Sequence, residues 1–397
     1  MKRLLVVVAL LSISAAGKDT LPTRPFENSG GFTIRNAVDK AVSAALKKQR
    51  IKIARPCTDE VFVRRVYLDV IGTLPTPQEV LEFLRDRSPG KRAALIDSLL
   101  ERPEYADFWT MRWCDLLRVK AEFPINLWPN AVQAYHRWIH DCVRDNVPYD
   151  RMAREMLTAS GSNFRVPAVN FWRAGQSREP AALAQAVALT FLGSRIDRWR
   201  PDRRDGLAVF FSRLAFKRTI EWKEEIVHLD PSPARRLLAI FPDGTQVEID
   251  PDTDPRQVFA DWLIRAGNPW FAPNITNRVW AWLMGRGIVH EPDDLRADNP
   301  PSNPALLDAL CRELVLSGYD LKHLLRLILN SSTYQLSSIP RSRHPDAAAL
   351  FAHYRVRRLD AEVLIDAICN ITGTTEKYVS PIPEPFTFIP EDNRTIA

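Results

Sequence analysis

FVRRVYLDVIGTLPTPQEV, residues 62–80, carries a helix end, a turn and a helix start in one short run. Tyr67 to Ile71 run into Gly72, a residue free to take the left-handed conformation that stops a helix. TPQE, Thr76 to Glu79, is a capping box. The Thr76 hydroxyl accepts from the third helical amide, Pro77 forfeits no bond at the first helical position, and Glu79 reaches back to the cap. Ser88 and Pro89 repeat the device. The local grammar is helix after helix.

The same grammar extends outward. Trp109, Trp113, Leu116 and Leu117 recur at helical spacing, as do Tyr135, Trp138, Ile139, Cys142 and Val143, and such stripes are core-facing. Arg178 to Leu192 forms a helix opened by Pro180 and closed by Gly193. The period then changes: TIEWKEEIVHL and RLLAIFPDGTQVEID alternate, and Asp243-Gly244 is a hairpin signal. Helices resume at Pro255. Asn303 starts one carrying Leu306, Leu307, Leu310 and Leu314, stopped by Gly318; Asp320 caps the next, and a last spans about Asp360 to Ile371. The expected fold is mainly α, two helical domains joined by a small β-hairpin connector. The divisions are 1–16 a signal peptide, 17–55 an N-terminal segment, 56–218 the first helical domain, 219–254 the connector and 255–397 the second domain.

Lys2 and Arg3, the apolar run Leu4 to Leu11, and Ser14, Ala15 and Ala16 form the pattern of an export signal, too short to span a bilayer. A periplasmic or secreted protein is therefore expected, without a transmembrane segment. Cys57, Cys114, Cys142, Cys311 and Cys369 are widely spaced, contain no C-x-x-C and are odd in number, which excludes a disulfide framework or zinc knuckle. The net charge of +6, of which Lys2 and Arg3 carry two, is a mild excess and gives no support to nucleic-acid binding.

Four constellations carry potential chemistry. His136 and His140 share a helix face at the spacing of paired metal ligands, but no third ligand accompanies them, so solvated or capping histidines are expected and no metal. HEPDDLRADNPPSNP, residues 290–304, concentrates Asp293, Asp294, Asp298, Asn299 and Asn303 before a helix start, where capping accounts for short polar side chains. Asn277 and Arg278 sit in an apolar helix and need partners; Asp293 or Asp294 would suit Arg278 in a salt bridge locking helix to loop. Finally, FLGSRIDRWRPDRRDGLAVFF, residues 191–211, crowds Arg195, Arg198, Arg200, Arg203 and Arg204 among Asp197, Asp202 and Asp205. No nucleophile elbow or phosphate loop occurs.

FVRRVYLDVIGTLPTPQEV, WCDLLRVK, NVPYDRMAREML and ALTFLG resemble the first domain of planctomycete-type exported proteins of the PSCyt/PSD class, domain of unknown function 1549, often linked to cytochrome c-like modules. The segment from Phe259 to Leu310, then LILNSSTYQLSS and RRLDAEVLIDAI, resemble the domain of unknown function 1553 that follows it. The resemblance runs from about Asp59 to the end of the chain and implies a mainly helical pair of domains. It also implies a C-x-x-C-H haem-attachment segment between FLG and DRW. Here only Ser194, Arg195 and Ile196 stand between Gly193 and Asp197, so the haem motif is expected to be lost and no cofactor is expected. The family pattern continues past FTFIPED, so the second domain is expected to be truncated.

These readings imply a non-haem binding or scaffold protein. The Arg195 to Arg204 loop and the cluster Asn277, Arg278, Asp293, Asp294 and Asn299 would hold an acidic protein or glycan. The alternative is a carbohydrate-active or other hydrolytic enzyme using Asp293 and Asp294 as acid and base, since glycosidases need two such carboxyls across a cleft. Nucleic acid is disfavoured by the three interleaved aspartates.

Overall fold

A computed structural model describes residues 25–120, 127–231, 235–379 and 394–396. The expected export signal and the FTFIPED segment lie outside those residues. The described chain is mainly helical, with small antiparallel sheets between two helical regions.

The first region runs α1 (Ala37–Lys48), α2 (Asp59–Val70), α3 (Pro77–Arg85), α4 (Lys91–Leu100), α5 (Pro103–Leu117), α6 (Pro129–Arg144) and α7 (Tyr149–Thr158). After the two-residue strand β1 (Gly161–Ser162) come α8 (Asn170–Arg173), α9 (Pro180–Val187) and α10 (Pro201–Ala208). The capping box forms, with Glu79 N donating to Thr76 Oγ1 at 3.2 Å and Thr76 N to Glu79 Oε2 at 2.7 Å. Gly72 takes φ +63°, and a Cβ there would stand 2.5 Å from the Phe108 ring. Ser88, in contrast, caps nothing. Its amide and hydroxyl donate to the Asp86 carboxylate at 2.7 and 2.9 Å, because an Asx turn two residues upstream offers a charged acceptor first.

The expected helix 178–192 begins at Pro180, and its last five residues, Ala188–Leu192, wind as a π turn closed by Gly193 at φ +57°. Helical structure returns sooner than a charged loop would allow: Pro201 sits at the first helical position of α10, so Arg203 and Arg204 are helical.

Strands begin at Leu214, ahead of the expected Thr219. β2 (Leu214–Arg218) pairs with β3 (Glu225–Leu229), and β1 adds to the other edge of β3. β4 (Leu237–Ile240) and β5 (Gln246–Ile249) form a separate hairpin around Asp243-Gly244. The second helical region runs α11 (Pro255–Ile264), α12 (Phe271–Met284), α13 (Pro304–Leu316), α14 (Leu321–Leu329) and α15 (Ala361–Thr372). Asn303 and Asp320 cap α13 and α14 as expected.

The two helical regions share one core. α1 packs on α13, α4 on α14, α7 on α11, and the π turn on α12. A clasp of polar bonds runs through the same seam. Asp39, fully buried on α1, accepts from the amides of Ser332 and Thr333 at 3.0 and 2.9 Å and from the Thr333 hydroxyl at 2.8 Å. Arg65 on α2 donates to the carbonyls of Tyr334 and Leu336 at 2.6 and 2.9 Å. Arg35 and Arg92 both donate to Gln335 Oε1, at 2.8 and 3.1 Å. Asp69 accepts from Tyr334 Oη at 2.7 Å, Tyr354 Oη at 3.3 Å and Arg357. RRVYLD of the first region and STYQL of the second are thus each other's partners, which gives buried polar groups the satisfaction they require.

Candidate functional site

The cluster expected around Arg278 forms, and its bonds are those of a lock. Arg278 is almost fully buried on α12; its Nε donates to Asp293 at 2.8 Å, and its other two nitrogens donate to the carbonyls of Thr190 and Leu189, at 2.5 and 2.6 Å. Those carbonyls belong to the π turn, where the widened winding and the stop at Gly193 leave acceptors free. Asn277 exchanges two bonds of 2.9 Å with the backbone of Val289, and Asn299 Nδ2 donates to the carbonyls of His290 and Asp294, both at 2.9 Å. Asp294 is held by both forks of Arg296 at 2.6 and 2.9 Å. Both carboxylates proposed as acid and base are therefore engaged by arginines, Asp293 by Arg278 and Asp294 by Arg296.

What the lock holds is a loop, 285–295, tied back to the π turn by Leu295 N to Gly193 O at 2.8 Å. Between this loop, α12 and α5 lies a cleft of about 520 Å3. Arg112, Asp115 and Leu116 of α5 form one wall; Arg278, Ala281 and Trp282 of α12 the floor; Arg286, His290, Glu291 and Asp293 the far side; and Arg195 the rim. Trp282 is pinned edge-on to Trp109 and Trp113, with ring centroids 5.7 and 6.0 Å away. The helical Trp stripe thus supports the cleft floor. A smaller, wholly charged recess of about 230 Å3 continues past Arg195 to Arg198 and Arg296.

The arginines of this cleft are unequally used. Arg278 is saturated. Arg112 pairs with Asp360 at 2.6 Å and lies over the Phe108 ring at 4.7 Å, yet its buried Nε has no acceptor. Burial pulls its guanidinium below the ordinary arginine value, with Asp360 opposing. Arg286 likewise has a buried Nε without an acceptor, and no ion-pair partner among the described residues. Arg195 and Arg198 are exposed and also lack carboxylate partners among the described residues. Asp115 faces them with its carboxyl pushed up by burial and by the charges of Glu362 and Asp360. A buried N–H without an acceptor costs free energy, so these two Nε groups are spare hydrogen-bonding capacity beside the cleft.

The five-arginine stretch divides. Arg195 and Arg198 reach the cleft, whereas Arg200 pairs with Asp202, Arg204 with Asp205, and Arg203 donates to the Asp243 carbonyl at 3.4 Å. Asp202 and Asp205 draw off Arg200 and Arg204, and the β4–β5 turn takes Arg203. Arg112 and Arg286 went unnoticed in the sequence; nothing in their local pattern distinguishes them from surface arginines. His140 pairs with Asp107 at 3.2 Å, and His136 is held below the ordinary histidine value by burial and then by His140. Both rings are half-buried. Among the described residues no group of three or more metal-ligating side chains occurs. No helix among them is long and apolar enough to cross a membrane. All five cysteines are unpaired, and burial pushes the thiols of Cys114, Cys142 and Cys311 up to about 12.

A larger concavity, about 890 Å3, lies at the seam beside α2 and is lined by Arg65, Asp69, Tyr354 and Arg357. The polar groups it shares with the clasp already have partners, so the smaller arginine cleft is the better candidate.

No curated protein and no solved structure matches the chain. Two family models do, one on each side of the β segment, and both are described as proteins of unknown function. The chain belongs to the proteins that join these domains: residues 37–197 are a PSCyt2 domain (DUF1549) and residues 255–393 a PSD1 domain (DUF1553).

Proposed function

We propose that the chain is an extracytoplasmic, non-haem binding protein whose ligand presents an oxyanion to the cleft between α5, α12 and the 285–295 loop. The observation that carries this reading is the convergence of Arg112, Arg286 and Arg195 on one cleft, the first two each with an Nε that has no acceptor and the third without a carboxylate partner among the described residues. Guanidinium forks match carboxylate, sulfate and phosphate oxygens bidentately, and the Arg278 lock presets the loop before the ligand arrives. The extracytoplasmic assignment rests on the charged, apolar, small-residue order of residues 1–16. The non-haem assignment rests on the absence of any C-x-x-C in the chain.

Calorimetric titration of the full chain with inorganic sulfate, at two ionic strengths, tests the reading. Binding that weakens with salt and disappears in Arg286→Ala, at unchanged circular dichroism, is expected. Sulfate binding that ignores salt, or that survives in Arg286→Ala, overturns it. A Soret band that persists after denaturation refutes the non-haem assignment.

A further inference from the structure

The turn between β2 and β3 carries a second concavity, about 440 Å3, that shares no lining residue with the arginine cleft. Trp128 and Trp222 make its corner, with ring centroids 5.0 Å apart at 65°. Trp222 is 55% exposed, and Ile220 beside it is fully exposed. Burial therefore does not explain these side chains. Trp128 and Lys223 both hold positive φ, at 66° and 62°. For residues other than glycine such backbone is costly, and it tends to persist where side chains must be aimed.

The charges around the corner are asymmetric in their use. Glu225 is buried between Arg173 at 2.9 Å and Arg178 at 2.8 Å. Glu224 accepts from Thr219 Oγ1 at 2.7 Å and from Ser162, and Glu221 pairs with Arg165 at 3.3 Å. All three acids are spent. Two cations are not: Arg218 has no carboxylate partner among the described residues, and the Lys223 amine lies 4.4 Å from the Trp128 ring and 5.7 Å from that of Trp222.

We propose that this corner binds an acidic oligosaccharide. The apolar C–H face of a pyranose packs on an exposed indole, and a uronate carboxylate pairs with Arg218 and Lys223, drawing the amine off the rings. An amphipathic aromatic with polar neighbours in a preformed concavity is the usual composition of a small-ligand site. An anionic lipid surface fits less well, because the spare cations line a concavity of about 440 Å3 and not a flat face.

Tetragalacturonate is titrated against the full chain, with maltotetraose as the neutral counterpart, following tryptophan fluorescence and heat. The acidic tetrasaccharide should bind at least about tenfold more tightly than the neutral one. Trp222→Ala should weaken it about tenfold, the scale of one packed aromatic face, while Trp222→Phe retains most of the affinity. Arg286→Ala should leave the Trp222-dependent part of the fluorescence change intact, which separates this site from the arginine cleft. Equal affinity for both sugars, affinity indifferent to Trp222→Ala, or binding only to phosphatidylglycerol vesicles overturns the proposal.

Discussion

Asp69→Ala removes the anion at the centre of the clasp. The side chain is 5% exposed and has three donors, the hydroxyls of Tyr334 and Tyr354 and the guanidinium of Arg357. Arg65 lies 3.6 Å over the Tyr354 ring, so without Asp69 two guanidinium groups face one another across a buried pair of tyrosines with no counter-charge. Breaking a buried pair from one side costs about 3–5 kcal/mol, whereas an exposed pair costs under about 1. The unsatisfied hydroxyls add to this, although contributions within one network do not sum. We expect a loss of about 4 kcal/mol, a large share of the roughly 5–15 kcal/mol that a folded protein has in total. Urea unfolding of the full chain, compared at unchanged slope, measures it. The double variant Asp69→Leu/Arg357→Met should be less destabilised than Asp69→Ala, because it removes both charges. A cost below about 1 kcal/mol for the single variant, or a double variant less stable than the single, refutes a clasp built on charge.

Arg278→Lys should cost about 2 kcal/mol in thermal melts even though charge is kept, since one ammonium cannot serve Asp293 and two carbonyls at once. Gly193→Ala should cost about 3 kcal/mol: its φ is +57°, and a Cβ would lie 2.5 Å from Asn274 Oδ1 and 2.6 Å from Leu295 Cδ1. Burial alone would raise the Glu225 carboxyl, but the hydrogen bonds from Arg178 and Arg173 outweigh it and the net shift is downward. Its contribution to stability is therefore complete above the unfolded value of about 4.3 and is lost as pH falls towards the folded value; Glu225→Gln should flatten the acid limb of a melting-temperature profile. In the arginine cleft Asp115 is shifted the other way, so acidification neutralises it ahead of an ordinary carboxyl, and sulfate should bind more tightly as it does. Asp115→Asn should tighten sulfate binding at neutral pH and flatten that dependence; an unchanged profile would exclude Asp115.

Helix punctuation was legible in the chain because it is local. Thr76 with Glu79, Gly72, Gly193, Asn303 and Asp320 each act within a few residues of their own position, so TPQE or an Asn-Pro start declares itself. Ser88 misled because its own amide and hydroxyl are drawn back to the Asp86 carboxylate two residues upstream. The clasp was not legible: Asp69 and Tyr334 are 265 positions apart, and neither has a local pattern announcing the other. The Arg278 to Asp293 pair could be anticipated, being one helix and one turn apart. Arg112 and Arg286 could not, since what marks them is an acceptor they lack, and a missing partner leaves no trace in a string of residues.

This asymmetry bears on where activity is to be sought in the two joined domains. RRVYLD and NSSTYQLSS meet through Arg65, Asp69 and Tyr334, and with Asp39, Arg35 and Arg92 they help hold the helical regions on one core, as the demand that buried polar groups be paired requires. Ligand-binding capacity must come from groups the fold leaves over. Between Gly193 and Asp197 the chain supplies three residues, of which Ser194 and Ile196 are buried and Arg195 alone stands out to the cleft rim. The short connection therefore serves the π turn's closure and contributes a single charge to the site, alongside Arg112 from α5 and Arg286 from the locked loop. Three cations from three distant segments, assembled by a lock that touches none of their spare N–H groups, are what a preorganised anion site requires. The lock and the site should accordingly respond differently to mutation, Arg278 through stability and Arg286 through affinity.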